Sequence, residues 1–168
     1  MRTVYLVSVW LHILAAAVWI GGMVFLGAVL VPVLREDRFR HVRTPMLYAT
    51  ALRFRWAGWA TLGLLVATGF LNVWLRGYDW SAWLTSAFWQ SPWGATLGWK
   101  LGLVAVVLAV SAAHDFVLGP RTMKALEADP ESSEAQRMRR LASWMGRLTL
   151  LLSLAILALA VALVRGGL

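Results

Sequence analysis

The stretch Val9-Trp-Leu-His-Ile-Leu-Ala-Ala-Ala-Val-Trp-Ile-Gly-Gly22 lies inside an apolar run that extends from Val4 to Leu34. A helix rising about 1.5 Å per residue needs roughly 20 residues to cross about 30 Å of hydrocarbon, so this run is long enough to span a membrane. His12 stands two turns inside it. An imidazole is costly to keep in such a helix and marks a functional site by default.

Three more apolar stretches of spanning length follow, giving spans at 5–33, 54–75, 97–118 and 142–164. Hydrophobic residues make up 60% of the 168 residues and the mean hydropathy is +0.68, a composition that points to a membrane protein rather than a soluble domain. The expected fold is all-α: an integral membrane four-helix bundle in one domain, residues 1–168. Its first span is expected to be a permanent helix and not a cleaved signal peptide, since only Met1 and Arg2 precede it and its apolar run is too long.

The net charge of +8 is distributed as membrane proteins distribute charge. Arg35, Arg38, Arg40, Arg43, Arg53 and Arg55 surround the first connection, and Arg121, Lys124, Arg137, Arg139, Arg140 and Arg147 surround the third. Arg2, Arg76, Lys100 and Arg165 fall toward the other side. The positive-inside rule then places the basic loops in the cytoplasm and both termini outward, in the cell inner (plasma) membrane. The expected partner is the lipid bilayer, with no nucleic acid. Cysteine is absent, which removes thiolate metal ligands and redox dithiols.

The second connection, Arg76 to Gly94, carries Trp80, Trp83, Trp89 and Trp93. These tryptophans match an interfacial aromatic belt and predict one short amphipathic segment in the headgroup plane. The acidic stretch from Glu127 to Glu134 around Pro130 reads as a solvated turn.

An offset of 88 residues superposes Trp56-Ala-Gly-Trp-Ala-Thr-Leu-Gly-Leu64 on Trp144-Met-Gly-Arg-Leu-Thr-Leu-Leu-Leu152, and Val29, Leu30 and Pro32 on Val117, Leu118 and Pro120. The chain therefore reads as a duplicated helix pair, the copies in parallel orientation. In this register His12 falls on Lys100, and the two are expected to face one another.

At 100° per residue, Thr61, Thr68 and Asn72 share one face of the second span, and Lys100, Ser111 and His114 one face of the third. Small residues such as Ala17, Gly21, Gly22, Gly58 and Gly146 suit close helix packing. Met23 lies on the His12 face and offers a thioether, a ligand type that suits Cu(I). His12 and Met23 are thus the metal-ligand candidates, and His12 and Lys100 the cofactor-binding ones. His114, Asp115, Asn72 and Trp19 form a second tier. Asp115 is expected to pair with an arginine, and His114 lies too far from His12 in depth to share one centre with it.

The run Leu11-His-Ile-Leu-Ala-Ala-Ala-Val-Trp-Ile-Gly-Gly-Met23, followed by Pro32, resembles the first helix of the CopD copper-resistance family. Thr68-Gly69, Gly98-Trp-Lys-Leu-Gly-Leu-Val104 and Ala113-His-Asp-Phe-Val-Leu-Gly-Pro-Arg121 are similar to its later helices. That resemblance implies a role in copper transport or tolerance. The chain also resembles the related HemJ family, which implies haem b and protoporphyrinogen oxidation, with His12 as haem ligand and Lys100 as the functional lysine. It departs from HemJ after Gly22, where Met-Val-Phe-Leu-Gly-Ala-Val-Leu replaces an aromatic, proline-arginine stretch. The cofactor is accordingly a copper ion or haem b. A third reading is a homo-oligomer or an accessory subunit of a larger membrane complex.

Overall fold

Two prolines decide where the long helices change their winding. Pro32 and Pro120 lack the N–H that a helix needs four residues downstream of a carbonyl, and their rings crowd that carbonyl. In both places the chain answers with a π-helical turn just upstream: Leu26–Leu30 before Pro32 and Ala113–Leu118 before Pro120. An α-helix resumes immediately, with the proline in its first turn. Offset by 88 residues, the first π segment falls within the second. The matching prolines thus produce matching distortions.

The computed structural model describes residues 1–78, 80–129 and 131–168, the side chains of residues 80 and 82 excepted. The aromatic anchor expected of Trp80 and the proline turn expected at Pro130 lie outside the described residues. In order, α1 is Arg2–Phe25, α2 Val31–Leu34, α3 Arg43–Trp74, α4 Trp80–Trp83, α5 Ser86–Gln90, α6 Pro92–Ala112, α7 Gly119–Ala128 and α8 Ser133–Val164. Four continuous helical segments are long and apolar enough to cross a membrane: Arg2–Leu34, Arg43–Trp74, Pro92–Ala128 and Ser133–Val164. The protein is an all-α, multi-pass membrane protein.

The helices outrun the apolar spans read from sequence. The segment Arg43–Trp74 begins eleven residues before the hydropathy does, and Pro92–Ala128 continues ten residues beyond it. Charged residues end a hydrophobic window but not a helix, because Arg, Lys and Glu are good helix formers. The second connection also differs from expectation. It holds two short helices, α4 and α5, not one amphipathic segment.

Residues Met1–Trp83 and Leu84–Leu168 form two compact units, each containing one copy of the duplicated helix pair. In the first, α1 packs on α3. The partners run in opposite order, Tyr5 with Arg76, His12 with Gly69, Trp19 with Gly58 and Gly22 with Phe54, so the two helices are antiparallel. In the second unit α6, and then α7, packs on α8. Ser91 caps α6 by accepting from Gly94 N–H at 3.0 Å, and Ser132 caps α8 by accepting from Ala135 N–H at 3.2 Å.

The burial pattern is inverted relative to a water-soluble protein. Large apolar side chains such as Trp10, Ile13, Trp56, Trp99 and Leu151 are exposed, whereas Ser8, Thr68, Thr96, Ser111, Thr122, Thr149 and Ser153 are buried. Exposed apolar surface on a spanning helix faces lipid tails. Buried hydroxyls must find acceptors, and five do so on the carbonyl four residues back: Thr68 on Leu64, Thr96 on Pro92, Thr122 on Leu118, Thr149 on Met145 and Ser153 on Thr149. Thr61, the repeat equivalent of Thr149, makes the same bond to Ala57.

Gly58 sets how closely α1 approaches α3. A Cβ there would lie 2.8 Å from Cζ3 of Trp19, whose indole also stacks on Phe54 at 6.0 Å between centroids. Gly58→Ala is therefore expected to push Trp19 out of place and cost about 1–3 kcal/mol, the usual range for overpacking. Shifted tryptophan near-UV dichroism with an earlier unfolding midpoint would report it.

Candidate functional site

His12 faces α3 at the level of Thr68 and Gly69. Its Nδ1 lies 2.8 Å from Thr68 Oγ1, and a Cβ on Gly69 would come within 3.4 Å of its Cε1. The glycine thus makes room for the ring, and the threonine orients it. Thr68 has one hydroxyl hydrogen, and that hydrogen goes to the Leu64 carbonyl at 2.6 Å. Toward His12 the hydroxyl can only accept, so Nδ1 carries the hydrogen. The basic lone pair of the neutral ring is then on Nε2. Metal-binding histidines use this arrangement, one nitrogen held by a hydrogen bond and the other presented as ligand.

Polar groups occupy the two turns above His12, toward the connection to α4. Tyr5 and Arg76 meet at the end of the helix pair, where Arg76 Nε donates to Tyr5 Oη at 3.0 Å. Between that contact and His12 lie Ser8 on α1 and Asn72 on α3. Ser8 Oγ and Asn72 Oδ1 are buried and have no hydrogen-bond partner among the described residues. Below His12 the interior becomes apolar, with Ala15 and Trp19 buried.

The other candidates separate. Met23 is half-buried on the same helix, eleven residues from His12, or roughly 16 Å at about 1.5 Å per residue. Thioether and imidazole therefore cannot hold one ion together. Trp19 is a packing residue between Gly58 and Phe54. Lys100 is half-buried on α6 in the second unit. His114 and Asp115 sit in the π segment of that unit, His114 Nδ1 lying 2.9 Å from Asp115 Oδ1. Among the described residues, no three His, Cys, Asp or Glu side chains come together as a metal cluster.

The sequence placed Thr68 and Asn72 on one face of the second span but did not join that face to His12, Ser8 or Tyr5. The signal was present: Ser8 is four residues before His12, and Thr68, Asn72 and Arg76 recur every four, which is one face on each helix.

An uncharacterized protein of Aquifex aeolicus (strain VF5) is 29% identical over 152 residues, covering 90% of this chain and 89% of that one. No solved structure matches. The family CopD, Copper resistance protein D, matches residues 48–163, which include Thr68, Asn72, Lys100, His114 and Asp115 but not His12. That match spans well over half of the 168 residues, and the chain belongs to the CopD family.

Proposed function

We propose that this membrane protein handles copper in transport or tolerance and that His12 is its imidazole ligand, binding through Nε2. Copper is the cargo here. The observation that supports this reading is the relay from His12 Nδ1 to Thr68 to the Leu64 carbonyl, which fixes the tautomer and the ring together. Membership of the copper-resistance family supports the choice of metal.

One observation favours a second reading, a resident haem b that His12 would hold. The helix pair offers one oriented imidazole, and the two metal-ligand candidates on α1 stand too far apart to act as a pair. A porphyrin brings four nitrogens of its own and needs as little as one protein ligand, and His12 fits that position. When bound, haem would supply one-electron chemistry.

The test is anaerobic Cu(I) titration of tag-free protein in detergent, with elemental analysis and a visible spectrum of the same sample as isolated. Stoichiometric copper without a Soret band supports the copper reading, and a Soret band without copper supports the haem reading. Neither ligand would overturn both. Thr68→Val keeps the imidazole and removes its support, and should weaken binding about 10–100-fold.

The orientation belongs to the same proposal: basic loops cytoplasmic, both termini outward. Alkaline phosphatase fused after Leu168 should be active and a fusion in the Glu36–Arg40 loop inactive, and the reverse pattern would invert the topology.

A further inference from the structure

The unpartnered groups above His12 carry an inference that stands whatever His12 binds. We infer that α1 and α3 enclose a water-filled lane, closed at its inner end, which runs from the Tyr5–Arg76 contact past Ser8 and Asn72 to the His12 imidazole. Its ligand is water.

Tyr5 meets Arg76 and His12 meets Thr68 across the same antiparallel pair. Ser8 lies between Tyr5 and His12 on one helix, and Asn72 lies midway between Thr68 and Arg76 on the other. The two therefore stand at one level, facing across the interface. Ser8 is only 3% exposed, and neither its Oγ nor Asn72 Oδ1 has a hydrogen-bond partner among the described residues. A buried polar atom without a partner costs about 1–3 kcal/mol, and two at one level make a dry interface unfavourable. A water accepts from the Ser8 hydroxyl and donates to the Asn72 carbonyl, satisfying both.

The second unit serves as an internal comparison. The equivalent of Ser8 there is Thr96, whose Oγ1 donates to the Pro92 carbonyl and accepts from Leu168 N–H at 2.8 Å. The chain itself fills that position. In the first unit no described group does so, and the copies of the repeat diverge at this level. The rungs at Tyr5–Arg76, Ser8–Asn72 and His12–Thr68 are each about one turn apart, a spacing that successive waters bridge. Trp19, 8% exposed and seated on Gly58, ends the lane below His12.

The absence of cysteine gives a direct test. Methyl methanethiosulfonate is small, neutral and soluble in both phases, yet it reacts only with the thiolate, which attacks its sulfenyl sulfur, displaces methanesulfinate and forms only where water reaches the sulfur. Single variants Ser8→Cys and Val7→Cys in proteoliposomes compare neighbouring residues at one depth, Val7 being 50% exposed and Ser8 buried. The lane predicts that mass spectrometry finds Ser8→Cys modified at least tenfold faster, the reverse of the order of exposure. Adding Asn72→Leu should remove that excess. Equal or slower modification of folded Ser8→Cys overturns the lane. If that variant does not fold, radiolytic hydroxyl-radical footprinting of the unsubstituted chain decides: oxidation at His12 supports the lane, and its absence overturns it.

Discussion

His12→Ala is expected to abolish stoichiometric binding of copper or haem while leaving the helices folded. The two effects separate because of how the imidazole is held. Removing the ring removes the bond to Thr68, but the Thr68 hydroxyl still donates to Leu64 at 2.6 Å, so no buried donor is stranded. The loss includes the bond to Thr68, about 1 kcal/mol, and the packing of the ring. A ligand that binds through Nε2 loses its protein donor altogether, because Met23 is three turns away and cannot substitute. Unchanged far-UV dichroism with lost copper or a lost Soret band is the expected result. Retained stoichiometric binding would remove His12 from the site.

Gly94→Ala is expected to be the most disruptive single methyl in the chain. Gly94 is buried in the first turn of α6, where its N–H donates to Ser91 Oγ. A Cβ there would fall on the carbonyl oxygen of Phe88 and come within 2.7 Å of its carbon. Backbone cannot rotate aside as the tip of a side chain can. The variant must unwind either the end of α5 or the capped start of α6, at or above the ~3 kcal/mol upper end of ordinary overpacking. The same atoms hold the Ser91 hydroxyl, which donates to the Phe88 carbonyl at 2.6 Å, so cap and turn fail together. Stability measured by denaturant titration in mixed micelles should fall accordingly. Gly102→Ala, on the same helix with nothing within 4 Å of the added methyl, should be neutral or slightly stabilising.

The duplication shows how far a pattern in the letters can be carried into structure. Pro32 and Pro120 align at an offset of 88 residues, and the structure places a π turn before each. Thr61 and Thr149 align and bond to equivalent carbonyls. Both correspondences follow from local chemistry, a missing N–H in one case and a hydroxyl one turn from a carbonyl in the other. Ser8 and Thr96 align equally well, yet Thr96 donates to the Pro92 carbonyl and accepts from Leu168 N–H, 72 residues away, whereas Ser8 Oγ has no partner among the described residues.

What the amino-acid sequence determined by itself is whatever depends on composition and on neighbours within a turn or two. That includes four membrane-crossing helices, their order, the repeat, and His12 as the costly residue of the first span. Hydrocarbon demands long apolar helices, and such helices are visible in one dimension. The tertiary structure alone decided what surrounds His12. Its tautomer follows from Thr68, 56 residues away, and the polar rungs above it from a register between two helices whose apolar surfaces would tolerate many registers. Side-chain hydrogen bonds and close glycine contacts select one of them, and those become visible only when α1 and α3 lie side by side.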